Sequence, residues 1–320
     1  MKKGMSVCAA FLFTFLFAAP SFAGEYPERV INLVIAYPPG GGSDILLNGV
    51  KPFLEKELKQ SLIPVYKPGA NGAVGWTYLV KEAPKDGYTI CISNSPSIIG
   101  NPVVSPETGY TVENIAPIYN IVEDPAVLIV KKDSLFKNLK DFIDHVKANP
   151  GKVQMAHSGY TDDGWITTRY LEKAAGISFV MVPFVGDSKA AQSVMGGHID
   201  ANISNVGIMF QQIKDGSVKA LAVFSDKRSP YLPDIPTAKE AGYDIQMGSA
   251  RGFSAAKGVP EEILAKLEMA FTAATSASGF KEKMDSLALP LRLMNRKEYQ
   301  EYYNKHSQAF KILWVEQQRK

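Results

Sequence analysis

Residues 30–44 read VINLVIAYPPGGGSD, and the reading of that stretch decides the fold. Val30 to Ala36 is a near-continuous apolar run of strand length. Beyond the loop AYPPGGGSD, Leu47, Val50, Leu54 and Leu58 recur at spacings of 3, 4 and 4, which lays them on one face of a helix. Strand, tight loop and helix make a βα unit. Pro52 falls inside that helix and is expected to kink it or to cost a backbone hydrogen bond near Asn48.

The same alternation runs outward along the chain. LIPVY (62–66), YTICIS (88–93), IAPIYNIV (115–122), AVLIVKK (126–132), VQMAHSG (153–159), FVMVPFVG (179–186), IDANIS (199–204) and VKALAVF (218–224) read as strands. Between them lie a short helix toward Val80, an amphipathic helix with Leu139, Phe142, Ile143 and Val146 that stops at Asn149-Pro150-Gly151, and helices ending at Gly176, through Ala190–Met195 and over 208–214. Pro260 with Glu261 and Glu262 marks another helix start, as the helix dipole favours, and a last helix presents Tyr299, Tyr303, His306, Phe310 and Leu313 on one side. The pattern predicts an α/β fold with mainly parallel sheets.

The N-terminal MKKGMSVCAAFLFTFLFAAPSFA has two lysines, an apolar run from Val7 to Ala19 and small residues before Gly24, the layout of a secretory signal cleaved after Ala23. As a helix that run spans about 20 Å, short of the roughly 30 Å of a bilayer core. The expected mature product is exported and periplasmic. Without Lys2 and Lys3 the 35 basic residues fall to 33 against 32 acidic ones, which gives no reason to expect nucleic acid or an anionic membrane as partner. Beyond the signal Cys91 is the single cysteine, so the core must hold the fold without a disulfide; its strand position reads as a small buried hydrophobe.

In α/β sheets ligands bind at the carboxyl ends of strands. The loops there are YPPGGGSD, SNSPS, HSGYTDD, PFVG and ISN, all rich in Gly, Ser, Thr or Asn. Glycines let backbone N–H groups approach a ligand, and a helix N-terminus adds free N–H groups and a positive dipole end, a combination that favours a carboxylate. The bland alternative is that Gly40 to Gly42 relieve strain while Ser43 or Asp44 caps the helix. The nucleotide motif G-x-x-x-x-G-K-[ST], the hydrolase elbow G-x-S-x-G and the zinc motif H-E-x-x-H are all missing, and His145, His157, His198 and His306 lack metal-ligand spacing. No enzyme, metal or cofactor is therefore expected. His157, next to a ligand loop, is expected to support it structurally.

Taken in order, YPERVINLVIAYPPGGGSD, KPGANGAVG, APKDGYTI, NPGKVQMAHSG, VPFVG, QQIKDGSVKALAVFSDKRSPYLPDIPTAKEAG and FSAAKGVPEEI resemble the solute-binding proteins of tripartite tricarboxylate transporters, the Bug family, over nearly all of residues 26–310. The resemblance implies a type II periplasmic binding protein fold, with two lobes, a hinge and a central ligand cleft. It implies a monomer that captures a small organic carboxylate and passes it to membrane permease subunits. A sensor that signals to a membrane receptor is the alternative use of the same cleft. The fold would place 24–124 and 220–320 in lobe 1 and 125–219 in lobe 2, with IVEDPAVLIV and VKALAVFS as the crossings.

Carried over position by position, Tyr37, Gly40, Gly41, Gly42, Ser43 and Asp44 resemble the family's first ligand loop, and Ser93, Asn94 and Ser95 its strand-end site. Ser158, Gly159, Tyr160 and Thr161 match the facing loop, Pro183, Phe184 and Gly186 the V-P-[YF]-x-G segment, and Ser204 and Asn205 stand where Asp-Asn is usual. The chain departs from the family at AHSGYTDDGW, where Thr161 replaces a glycine, Asp162 a hydroxyl residue and Trp165 a histidine. One of Asp162 and Asp163 is expected to cap the helix and face solvent. The other would receive a ligand ammonium or hydroxyl, with Tyr160 or Trp165 lining the pocket.

Overall fold

The computed structural model describes residues 26–318, so the signal sequence at 1–23 and its cleavage after Ala23 lie outside the described residues. Strand β1 (Ile31–Ile35) and helix α1 (Gly42–Leu58) form the expected unit, and β2 (Leu62–Tyr66), α2 (Ala73–Lys81), β3 (Thr89–Ser95) and α3 (Ser97–Val104) extend it. β1 lies between β2 and β3, parallel to both. Leu47, Val50, Leu54 and Leu58 are all buried on the inner face of α1. Pro52 stays inside α1 on its exposed side, where water can satisfy the carbonyl of the exposed Asn48.

The two segments IAPIYNIV and AVLIVKK are one strand, β4 (Ile115–Lys131), 17 residues long. After it come α4 (Leu139–Ala148), β5 (Gln154–His157), α5 (Asp163–Ala175), β6 (Val180–Pro183), α6 (Asp187–Met195), β7 (Ala201–Asn205), α7 (Val206–Lys214) and β8 (Val218–Phe224). The chain ends with β9 (Gly248–Ala256), α8 (Glu261–Ser276), α9 (Phe280–Ser286), β10 (Leu291–Met294) and α10 (Arg296–Gln318).

β4 belongs to two sheets. Its first part pairs antiparallel with β9 and β10, which joins it to the parallel set β2-β1-β3. Its second part, Ala126–Lys131, pairs antiparallel with β7 and β8, and β7 leads through β5 to β6 in parallel. The parallel reading therefore holds for the outer strands, while the strands that connect the sheets are antiparallel.

Each sheet carries its own core. Leu33, Leu54, Phe253, Phe271 and Phe280 fill one face of the first sheet, and Trp76, Tyr110, Tyr299 and Tyr303 the other. Leu128, Phe142, Met155, Leu171 and Phe224 fill one face of the second. Cys91 is fully buried.

VKALAVFS, expected as the second crossing, stays within the second sheet. β8 pairs along its length with the second part of β4, and Leu221, Ala222 and Phe224 pack into the second core with Ala238 and Ile245. The chain returns at Gly248, where β9 begins to pair with Pro125 and the first part of β4. An apolar strand reads the same in either sheet, since its sequence records burial and not its partner.

Candidate functional site

A chamber of about 150 Å³ lies where the carboxyl ends of the two sheets face each other. The first sheet contributes Tyr37, Pro38, Gly41, Gly42, Ser43, Asn94 and Ser97, and β9 adds Ser249 and Arg251. The second contributes Ser158, Asp162, Asp163, Val185 to Lys189 and Asn205. A cavity of that order accommodates a small molecule about the size of benzene.

The three glycines do three different things. Gly40 has φ +84°, a left-handed turn that a side chain would strain. Gly41 is the N-cap of α1 and offers no side-chain cap, so first-turn N–H groups remain for a ligand at the chamber wall. Gly42 lies against a guanidinium: a Cβ there would sit 2.6 Å from Arg251 Cζ. Asp44 turns away from the chamber, accepting from Gly40 N at 2.5 Å and Tyr66 Oη at 2.8 Å, so its carboxylate braces the loop.

Arg251 is the feature that sequence reasoning missed. It is 2 % exposed, donates from Nη1 to Asp124 Oδ2 at 2.7 Å and from Nη2 to Asn205 Oδ1 at 2.6 Å. Asp124, wholly buried, also accepts from Gly207 N at 2.9 Å. The Arg251 charge is thus matched before any ligand arrives. Its ion pair spans the two crossing strands, Asp124 on β4 and Arg251 on β9.

Around this pair stand three carboxyl groups. Asp162 caps α5, accepting from Trp165 N and from Ser158 N and Oγ, and it is buried. Asp163, in the first turn, is half-buried and accepts from Asn205 Nδ2 at 2.6 Å. Asp187, also missed from the sequence, opens α6 and accepts from Asn202 Nδ2 at 2.9 Å and from Ser204 Oγ.

The expectation that one of Asp162 and Asp163 faces solvent is overturned, because both line the chamber. Loss of water pushes Asp163 up to about 7, with the neighbouring Asp162 charge adding and Arg251 opposing. The same desolvation pushes Asp187 up to about 6 and raises Asp162, the latter against its hydrogen bonds from Ser158 and Trp165. Helix N-termini partly compensate these crowded acids.

Other expected residues fall elsewhere. On β3 the side chains alternate, so Asn94 reaches the chamber and accepts from Ser43 Oγ at 3.3 Å, while Ser93 bonds Tyr299 Oη at 3.1 Å behind the sheet. Ser95 is buried outside the chamber lining, and Ser204 serves Asp187. Gly159, Tyr160, Thr161 and Phe184 line a neighbouring groove instead. Trp165 packs with Ile166 and Phe310 and does not line the chamber. His157 is buried with its ring 5.6 Å from that of Tyr160.

A polar latch joins the facing loops. Asn71, with φ +49°, donates from Nδ2 to Thr161 Oγ1 at 2.8 Å, and its Oδ1 accepts from Tyr37 Oη at 3.1 Å. Thr161 Oγ1 also bonds Asn101 Oδ1, and Ser188 Oγ donates to Gly40 O at 3.0 Å. Asn71 lies in KPGANGAVG, a loop to which the sequence reading assigned no site residue.

Residues 48–316 match the family described as the tripartite tricarboxylate transporter family receptor. The chain belongs to that family. This receptor is 30% identical over 246 residues to the protein BugT of Bordetella pertussis, covering 76% of its own chain and 75% of the relative. The solved periplasmic binding protein BugD is 28% identical with a TM-score of 0.85, over 91% of this chain and 98% of that one. MatC of Rhodopseudomonas palustris, solved with bound malate, is 24% identical with a TM-score of 0.83 over 89% and 99% of the two chains. The fold is the two-lobed periplasmic binding protein fold, each sheet forming one lobe and the chamber lying between them.

Proposed function

We propose that this receptor captures one small organic carboxylate in the chamber between its lobes and delivers it to the permease subunits of a tripartite tricarboxylate transporter. It does so as a periplasmic monomer after removal of residues 1–23. The lobe boundaries that fit the strand pairing are 26–124 with 248–318, and 125–247.

One observation carries the reading: the uncapped first turns of α1 and α6 and the capped start of α5 all border a chamber whose walls come from both lobes. A ligand there contacts both lobes only when they are closed. Its differential affinity for the closed state then drives closure, and the closed pair of lobes is the surface a permease can distinguish. That malate occupies MatC, a protein of the same fold, is consistent with a carboxylate.

The three acids refine the ligand. Arg251 is already paired, so a ligand carboxylate relies on helix N-terminal N–H groups, on hydroxyls and on the exposed Lys189. A hydroxyl or ammonium on the ligand adds a donor to Asp163, beside that of Asn205, or to Asp187, beside those of Asn202 and Ser204. The ligand is therefore a hydroxy or amino acid.

Calorimetric titration with plain carboxylates, with hydroxy acids such as citrate and with amino acids tests this. Hydroxy or amino acids should bind tightest, and Asp163→Asn should weaken them selectively. Plain carboxylates that bind as tightly as their hydroxy and amino counterparts, or hydroxy-acid binding, citrate included, that is indifferent to Asp163→Asn and Asp187→Asn, would overturn it.

A further inference from the structure

Beside the chamber runs a larger groove of about 710 Å³. The two spaces share Tyr37, Pro38, Ser158, Val185 and Gly186 in their walls. Of these five, Ser158 and Gly186 are the smallest, and they follow the adjacent parallel strands β5 and β6, so both spaces border the same two strand-end loops of the second lobe. We propose, building on the carboxylate reading above, that the ligand spans both spaces: its acid head lies in the chamber and an uncharged, apolar body lies in the groove.

The chemistry of the groove carries this. Val74 on α2 and Val104 on α3 face it from the first lobe, with Phe184 and Tyr160 from the second. Val74 is 48 % exposed, Tyr160 60 % and Val185 64 %, an amount of open apolar surface that an occupant's hydrocarbon would cover. Among the residues lining the groove none is Lys, Arg or His, whereas Glu82 and Glu107 are both there. A second carboxylate placed in the groove would meet two negative charges and no positive one. The groove thus excludes di- and tricarboxylates of the same length and admits a hydrocarbon or aromatic body.

The test is titration of the mature receptor with two matched series. One comprises 2-hydroxy and 2-amino acids whose side chains lengthen from methyl to butyl and benzyl. The other has the same backbones ending in a second carboxylate. Affinity should rise along the first series by about fourfold per buried methylene and should not rise along the second.

Val74→Lys, at an exposed position that leaves the core intact, should flatten the first series and improve the longer diacids by up to about fivefold, the factor expected of an exposed ion pair. Short acids that bind without any gain from length, or diacids that match their monoacid partners, would overturn the groove assignment while leaving the carboxylate reading in place. Failure of every acid in both series to bind would overturn both.

Discussion

Asp163→Asn is the sharpest probe of the chamber's electrostatics. In the folded protein the Asp163 carboxyl titrates at about 7 instead of 3.8, so the folded chain retains a proton that the unfolded chain gives up. Stability from this group is fully present below about pH 4 and is lost as pH rises through 7. Each pH unit in that interval costs about 1.4 kcal/mol, so the interval from pH 5 to pH 7 costs at most about 3 kcal/mol. Asp163 is half-buried and water screens it, which brings the expected loss to about 1–2 kcal/mol. Asparagine keeps an oxygen to accept from Asn205 Nδ2 and has no charge to bury.

Urea unfolding of wild type and variant at pH 5 and pH 8 reads the effect directly. The stability difference in favour of the variant should grow by about 1–2 kcal/mol between the two pH values. A difference that stays constant, or that shrinks as pH rises, would show that the Asp163 carboxyl is not held protonated by its surroundings.

Other consequences follow from the same contacts. Gly42→Ala drives a methyl into the Arg251 guanidinium and should destabilise by about 1–3 kcal/mol in chemical denaturation. Asp124→Asn leaves Arg251 a buried charge without its counter-ion, and the same assay should register about 3–5 kcal/mol. Thr161→Val removes the hydroxyl that accepts from Asn71; small-angle X-ray scattering should show a larger radius of gyration, and ligand affinity should fall by about fivefold.

How much could be read in the sequence depends on the distance over which each contact acts. The βα unit at 31–58, the buried face of α1 and a cap at one of Asp162 and Asp163 are local, governed by spacings of three or four residues, and they were legible, although which of the two acids caps α5 was not. Arg251 was not, because its partner Asp124 is 127 positions away, and periodicity does not record which strands pair. A signal existed: GSARGFSAA sets one arginine among small and apolar residues, and a charge in such a strand demands a buried partner.

The same reason hid Asp187, which needs Ser204 beside it, and Asn71, whose left-handed backbone and Thr161 partner 90 positions away are invisible to composition. Asp44 was misassigned to the ligand because a first-turn acid behind a glycine loop can turn either outward to a ligand or back onto its own loop. Tyr66 Oη and Gly40 N decide for the loop.

On the proposed reading one chamber, closed by the glycine loop at α1, holds one unchanged carboxylate per chain. Gly41 has room for a Cβ, its nearest neighbours being 3.7 Å away, so Gly41→Val should fold yet fill the chamber wall. Calorimetric titration of both proteins with the tightest acid, followed by recovery of that acid, is the direct measurement. Wild type should bind one equivalent and return it intact, and Gly41→Val should bind at least about tenfold more weakly, a loss of about 1.4 kcal/mol or more. Unaltered affinity in Gly41→Val, or conversion of the acid by either protein, would contradict the account.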